Sequence, residues 1–234
     1  MVKKFFLFFV ILLSLVILFF IYITMIGIET NRFNKFIINK IQSYDKKLNL
    51  KLKTVKLNLD LANFEIDINT LDPILIYSNQ EIILKKINFN FSIKSFLEKT
   101  FAVKEVEIVS KRKKITDLVN IYRNATKSPQ LYILSQIINE GEASFKIKAQ
   151  LDSNGNILPG YEIKGDIKKT KLSLLNKNRF QDINFQFEFY KDQYLIKNLL
   201  FNFKNVNFLS KNLMIKKKIN IILLKVMCKI KKRI

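Results

Sequence analysis

The stretch LKKINFNFSIKSF, residues 84 to 96, places Ile87, Phe89, Phe91 and Ile93 on one side of an extended chain and Asn88, Asn90, Ser92 and Lys94 on the other. Successive side chains of a strand point to opposite faces, so this spacing predicts a strand with one apolar and one wet face. What the apolar side covers, a packed core or something brought from outside, is the question that the surrounding sequence frames.

The same period runs in both directions from this stretch. Upstream, Leu48, Leu50 and Leu52 alternate, then Val55, Leu57, Leu59 and Leu61, with a phase slip at Thr54 that predicts a bulge or a strand break. Phe64, Ile66 and Ile68 continue the alternation, Asp72-Pro73 punctuates it, and residues 74–77, 82–91 and 103–109 supply further strands. SIKSFLEKTF (92–101) reads as an irregular or briefly helical connection. A basic cluster at 111–114 precedes a helical insertion near 115–140, in two pieces divided at Ser128-Pro129. Strands return at Ala143, Phe145, Ile147, Ala149 and Leu151, and DSNGN (152–156) is a turn signal. Tyr161, Ile163, Gly165 and Ile167, then Leu172 and Leu174, carry on the pattern. Residues 183–190 and 194–208 complete the series, separated by a polar turn at Lys191-Asp192-Gln193. Short turns between successive strands imply antiparallel neighbours, so the expected fold is mainly β, a long antiparallel meander.

Toward the N-terminus the pattern changes. Residues 5–28, FFLFFVILLSLVILFFIYITMIGI, form an apolar run interrupted only by Ser14, Tyr22 and Thr24, about 36 Å long as a helix and enough to cross a hydrocarbon core of about 30 Å. The run ends without a small-x-small cleavage pattern, which predicts an uncleaved anchor. Lys3 and Lys4 favour a cytoplasmic N-terminus with the body exported, whereas Arg32, Lys35 and Lys40 oppose it. Phe33, Phe36, Ile37, Ile41 and Tyr44 then recur at helical spacing, a short amphipathic helix that either lies on the membrane or covers the first edge of the sheet; Thr30 or Asn31 caps it. The expected organisation is a cytoplasmic end (1–4), a transmembrane anchor (5–28), an exported β-rich domain (29–210) and a basic tail (211–234). The tail has no acid and departs from the alternation. Three readings of it stay open: an amphipathic basic helix at an anionic membrane, a disordered end, or a terminus that is truncated or out of frame.

The chain has 234 residues, a formal charge of +22, no His and no Trp. Abundant Lys, Ile, Asn and Phe with scarce Gly and Pro is the composition an AT-rich genome imposes, so the charge alone does not indicate nucleic acid. Without His, the commonest general base and metal ligand are both missing, which argues against hydrolase triads and the usual zinc sites, and no metal or cofactor is expected. Cys228, the single cysteine, has no intramolecular partner. Glu65 with Asp67, and Glu105 with Glu107, are spaced by two and share a strand face, a pattern of solvated faces rather than of an acid/base pair. No glycine arrangement forms a phosphate-binding loop, and the phenylalanines alternate with Ile rather than with Arg, which argues against nucleic acid. The chain is expected not to be an enzyme.

The order of features resembles a known family. A basic N-terminus, a single anchor, the helix start Thr30 to Phe33, a surface helix and Leu/Val-rich strands look like the beginning of the AsmA-like proteins, the group with TamB and YhdP. Gly141-Glu142-Ala143, Tyr161 to Gly165 and Ile183-Asn184-Phe185 are similar to that group's β repeats. Members are usually much longer, so this chain is identified as an N-terminal or truncated member. The resemblance implies a single-pass protein of the bacterial inner membrane with its body in the periplasm. It also implies a curved, open sheet whose apolar groove carries phospholipid acyl chains for envelope lipid transport and outer-membrane biogenesis. The groove candidates are Ile87, Phe89, Phe91, Ile93, Phe145, Ile147, Phe185, Phe187 and Phe189. Phospholipid and the membrane are the expected partners, with an envelope protein or a second copy as further ones. The competing reading is a bitopic assembly or structural factor whose β domain closes as a sandwich and binds a protein.

Overall fold

A computed structural model of the chain describes residues 2–44, 46–98, 103–126, 128–174, 178–218 and 221–231. The apolar run forms α1 (Val2–Met25), long and apolar enough to cross a membrane, with none of its apolar window covered by protein. Then come β1 (Ile28–Thr30), α2 (Asn34–Tyr44), β2 (Leu48–Lys51), β3 (Val55–Asp60), β4 (Glu65–Leu71), β5 (Ile74–Tyr77) and β6 (Gln80–Ser92). α3 (Ile93–Leu97), β7 (Val103–Ser110), β8 (Lys113–Lys114), α4 (Ile115–Thr126) and α5 (Pro129–Ile137) follow. The chain continues through β9 (Ile138–Gln150), β10 (Glu162–Leu174), β11 (Asn178–Tyr190), β12 (Gln193–Phe203), β13 (Val206–Lys218) and β14 (Ile221–Lys231).

All strands pair antiparallel in one open sheet in the order β1-β3-β4-β6-β7-β9-β10-β11-β12-β13-β14; β2 pairs β5, β5 pairs β6, and β8 pairs β9. The expected mainly β, antiparallel architecture is what forms, and the sheet does not close on itself. β4 and β5 behave as one interrupted arm against β6. Asp72 (φ 46) and Pro73 bend the arm, yet Asp72 N still donates to Lys85 O and Leu84 N to Pro73 O. β7 pairs directly with β9, so α4 and α5 leave the sheet and return without dividing it.

Hairpin chemistry accounts for the turns. Ser78-Asn79, Lys191-Asp192 and Lys204-Asn205 each have two consecutive positive φ values, the twist-compatible two-residue turn. The third of these corrects the sequence reading, which ran 194–208 as one element: Lys204-Asn205 divides it into β12 and β13. The basic tail is also neither helix nor coil where it is described. β13 passes unbroken through residue 211, and β14 pairs along it.

The core lies on the apolar face. Ile37 of α2 is buried with Leu50, Val55, Ile68, Leu84 and Ile87, and Ile38 and Ile41 pack beside them. Of the two placements expected for the amphipathic helix, it takes the one over the sheet. Asn34 anchors its start by donating from Nδ2 to Lys53 O at 2.9 Å. A second cluster joins Ile115 and Val119 of α4 to Ile138 and Ala143, with Leu118, Ile167 and Leu172 around it.

Candidate functional site: the apolar face

Register carries a continuous row across nine strands, apolar but for Thr70: Val55, Thr70, Ile87, Ile108, Ile147, Ile163, Phe189, Tyr194 and Ile215 are successive cross-strand partners. A parallel row runs Phe145, Gly165, Phe187, Ile196 and Leu213. Gly165 is required there because a Cβ would stand 2.4 Å from Phe187 Cζ and 2.5 Å from Ser144 O; the Phe187 ring lies over the bare backbone.

Such rows survive only if bulges keep every strand in phase, because a one-residue slip sends the apolar set to the other face. Lys169 (φ 53), Asp182 (φ 51) and Asn198 (φ 54) are extra residues in β10, β11 and β12, and the registers shift beside them. They switch the apolar phase from Ile163, Gly165 and Ile167 to Thr170 and Leu172, and likewise in the next two strands. Asn184 joins two of the bulges, accepting from Lys169 N at 3.0 Å and donating to Asp182 O at 2.6 Å. Small hydroxyl residues also take positions on this face: Thr70, Ser110, Thr170 and Ser210 are all buried.

The sequence-named residues divide between two environments. Ile87 is 2 % exposed in the core, and Phe89 and Phe91 pack against that core. Ile93 is not on the strand face: β6 ends at Ser92, whose Oγ accepts from Ser95 N, and Ile93 opens α3, which corrects its assignment to the alternating face. Phe145, Ile147, Phe185, Phe187 and Phe189 share the apolar face and are half-buried. α4 packs on this face over β9, with Ile167 and Leu172 of β10 beside it, but among the described residues no helix makes a substantial contact with β11, β12 or β13. Sequence reasoning missed a second aromatic group there. Phe180 stacks on Phe203 with ring centres 4.6 Å apart, and Phe201 on Phe208 at 4.9 Å. The Lys204-Asn205 turn signal would have found it, because it sets the phase of both flanking strands.

The opposite face is charged and paired. Glu107 takes Lys146 at 2.6 Å and Lys86 at 3.1 Å, Glu105 takes Lys148 at 2.9 Å, and Glu65 takes Lys104 at 2.7 Å. Burial works against the Glu107 carboxylate, but the two lysines outweigh it and hold its pKa below the usual value. Among the described residues Asp67 has no lysine of its own; burial pushes its pKa up, against the hydrogen bond from Asn90 Nδ2. These are the acid pairs of the sequence, on a partly solvated strand face. Among the described residues no group of three or more His, Cys, Asp or Glu is arranged to hold a metal.

Comparison of the chain with known protein families, with curated proteins and with solved structures returns no match.

Proposed function

We propose that this is a membrane-anchored lipid-handling protein that takes phospholipid acyl chains onto the apolar face of its open sheet. α1 holds it in the bacterial inner membrane, the body faces the periplasm, and the lipid moves on toward the outer membrane. No bond is made or broken. The supporting observation is the uncovered half of the face: Phe185, Phe187 and Phe189 sit half-buried, in register with the core, and among the described residues no helix makes a substantial contact with their strands. A contiguous apolar patch of several hundred Å2 is a binding surface in soluble proteins, and an acyl chain would stabilise it by about 25 cal/mol per Å2 removed from water. The resemblance to AsmA-like proteins supports the same reading.

The test uses a photo-crosslinking amino acid at Phe187 and, separately, at Gln186, its neighbour on the polar face, in the full chain in cells. Phospholipid adducts at 187 and none at 186 are expected. A protein adduct at 187 in place of lipid would transfer the reading to an envelope assembly factor, and no adduct at either position would reject a binding face.

A further inference from the structure

The end of α1 is joined to the sheet almost without a linker. Only Ile26 and Gly27 separate Met25 from β1, β1 pairs antiparallel with the first half of β3 (Ile28 opposite Leu57, Thr30 opposite Val55), and α1 itself contacts β3. A Cβ at Gly27 would stand 2.7 Å from Leu57 O, so the helix end is pressed onto β3. Three residues further along β3 the chain turns through Leu61, Ala62, Asn63 and Phe64 into β4.

That turn is hydrogen-bonded to itself and carries apolar side chains. Asp60 Oδ1 accepts from Ala62 N at 3.0 Å and from Asn63 N at 3.1 Å, while Asn63 Nδ2 donates to Asp60 Oδ2 at 2.9 Å. Phe64 O accepts from Ile93 N at 3.0 Å, which ties the turn to α3. Leu61 is nevertheless 46 % exposed and Phe64 68 % exposed. Phe64 also holds φ 53, a left-handed backbone that is unfavourable for a bulky aromatic residue. A strained, exposed phenylalanine on a fastened turn is a feature that folding of the sheet does not require.

We infer that Leu61 and Phe64 insert into the headgroup–acyl boundary of the bilayer that α1 crosses, giving the sheet a second membrane contact that sets its tilt. The occupant follows from the tether: two residues hold the middle of β3 against the end of α1, β3 runs on from there into the turn, and Met25, Ile26 and Ile28 beside it are exposed. Aromatic and aliphatic side chains at such a boundary bury about 5–10 Å deep. The inference rests on α1 as a membrane span and is independent of the groove reading.

The chain lacks Trp, so single tryptophans report locally. Phe64→Trp, Leu61→Trp and, as a control, Tyr132→Trp on exposed α5 are made in the full chain. Each is reconstituted in phosphatidylcholine/phosphatidylglycerol vesicles with and without bromine on the upper acyl carbons. Emission from positions 64 and 61 is expected to shift to the blue and to lose intensity with brominated lipid, while position 132 keeps its solvent-like emission. Emission at 61 and 64 that matches position 132 overturns the inference; if Phe64→Trp fails to fold, Leu61→Trp decides. A Phe187→Trp probe separates the two readings. Quenching at 187 without quenching at 61 or 64 keeps the groove and rejects the interfacial turn, and the reverse keeps the turn and rejects the groove.

Discussion

Thr70 occupies a position where the alternation of Ile66 and Ile68 asks for an apolar side chain. It is fully buried; its Oγ1 accepts from Ile87 N at 2.9 Å and donates to Ile87 O at 3.1 Å, fastening β4 to β6 just before the bend at Asp72. Thr70→Val keeps the shape and removes both bonds, so a loss of about 1–3 kcal/mol is expected, read from denaturant unfolding of the full chain in mild detergent. Asp67, on the other face, yields the opposite kind of prediction. Its folded pKa lies above the ordinary 3.8, so the native state binds this proton more tightly than the unfolded one and the group's contribution to stability grows as pH falls. Asp67→Asn should therefore stabilise at neutral pH, and the gain should fade as pH is lowered through the folded pKa. For Glu107, whose folded pKa is depressed below 4.5, the sign reverses: its contribution is present above that value and lost in acid, so Glu107→Gln should destabilise at neutral pH only. Unfolding midpoints across pH check both, and a gain for Asp67→Asn that persists in acid would contradict the burial argument.

At the scale of the element, the phase slips decide how much of the fold is legible. Alternation is a property of one strand, so β6, β9 and β11 are visible in residues 84–92, 143–149 and 183–190 without any neighbour. A bulge is visible only as a missed beat, as between Ile167 and Leu172, and nothing local says that Lys169, Asp182 and Asn198 will be brought side by side. Asn184 makes that alignment specific, because one side chain serves two bulges in adjacent strands. Asn184→Ala should cost about 1–2 kcal/mol and broaden the amide signals of both bulges by NMR, whereas a purely local role would disturb β11 alone. The tail's strands escape a sequence reading for a related reason. The lysines at 216–218 hide the fact that Ile222, Leu224, Val226, Cys228 and Ile230 still alternate, and the strand emerges only when β13 is there to pair with it.

Across the whole molecule, one apolar face serves as core at one end and as open surface at the other. Charge substitutions separate the two parts. Ile87→Asp places a carboxylate in the dry cluster under α2 and should abolish cooperative folding, a cost above about 3 kcal/mol. Phe187→Asp falls on the uncovered part, and the folded state should survive with a loss of about 1–2 kcal/mol while phospholipid crosslinking from neighbouring Phe189 disappears. Circular dichroism melts and the crosslinking yield together check the pair; equal unfolding by both would mean that the face is core throughout. The sequence by itself determined the membrane-length helix, the amphipathic helix after it, the two-faced strands and most of the turns, because hydrophobic length, period and turn chemistry are local properties of the chain. Only the tertiary structure decided that β2 pairs with β5, that Ile93 leaves the face, and that Ile87 is core while Phe187 is open. The last of these depends on where α2 and α4 come to rest on the sheet, and no alternation within a single strand encodes what lies above it.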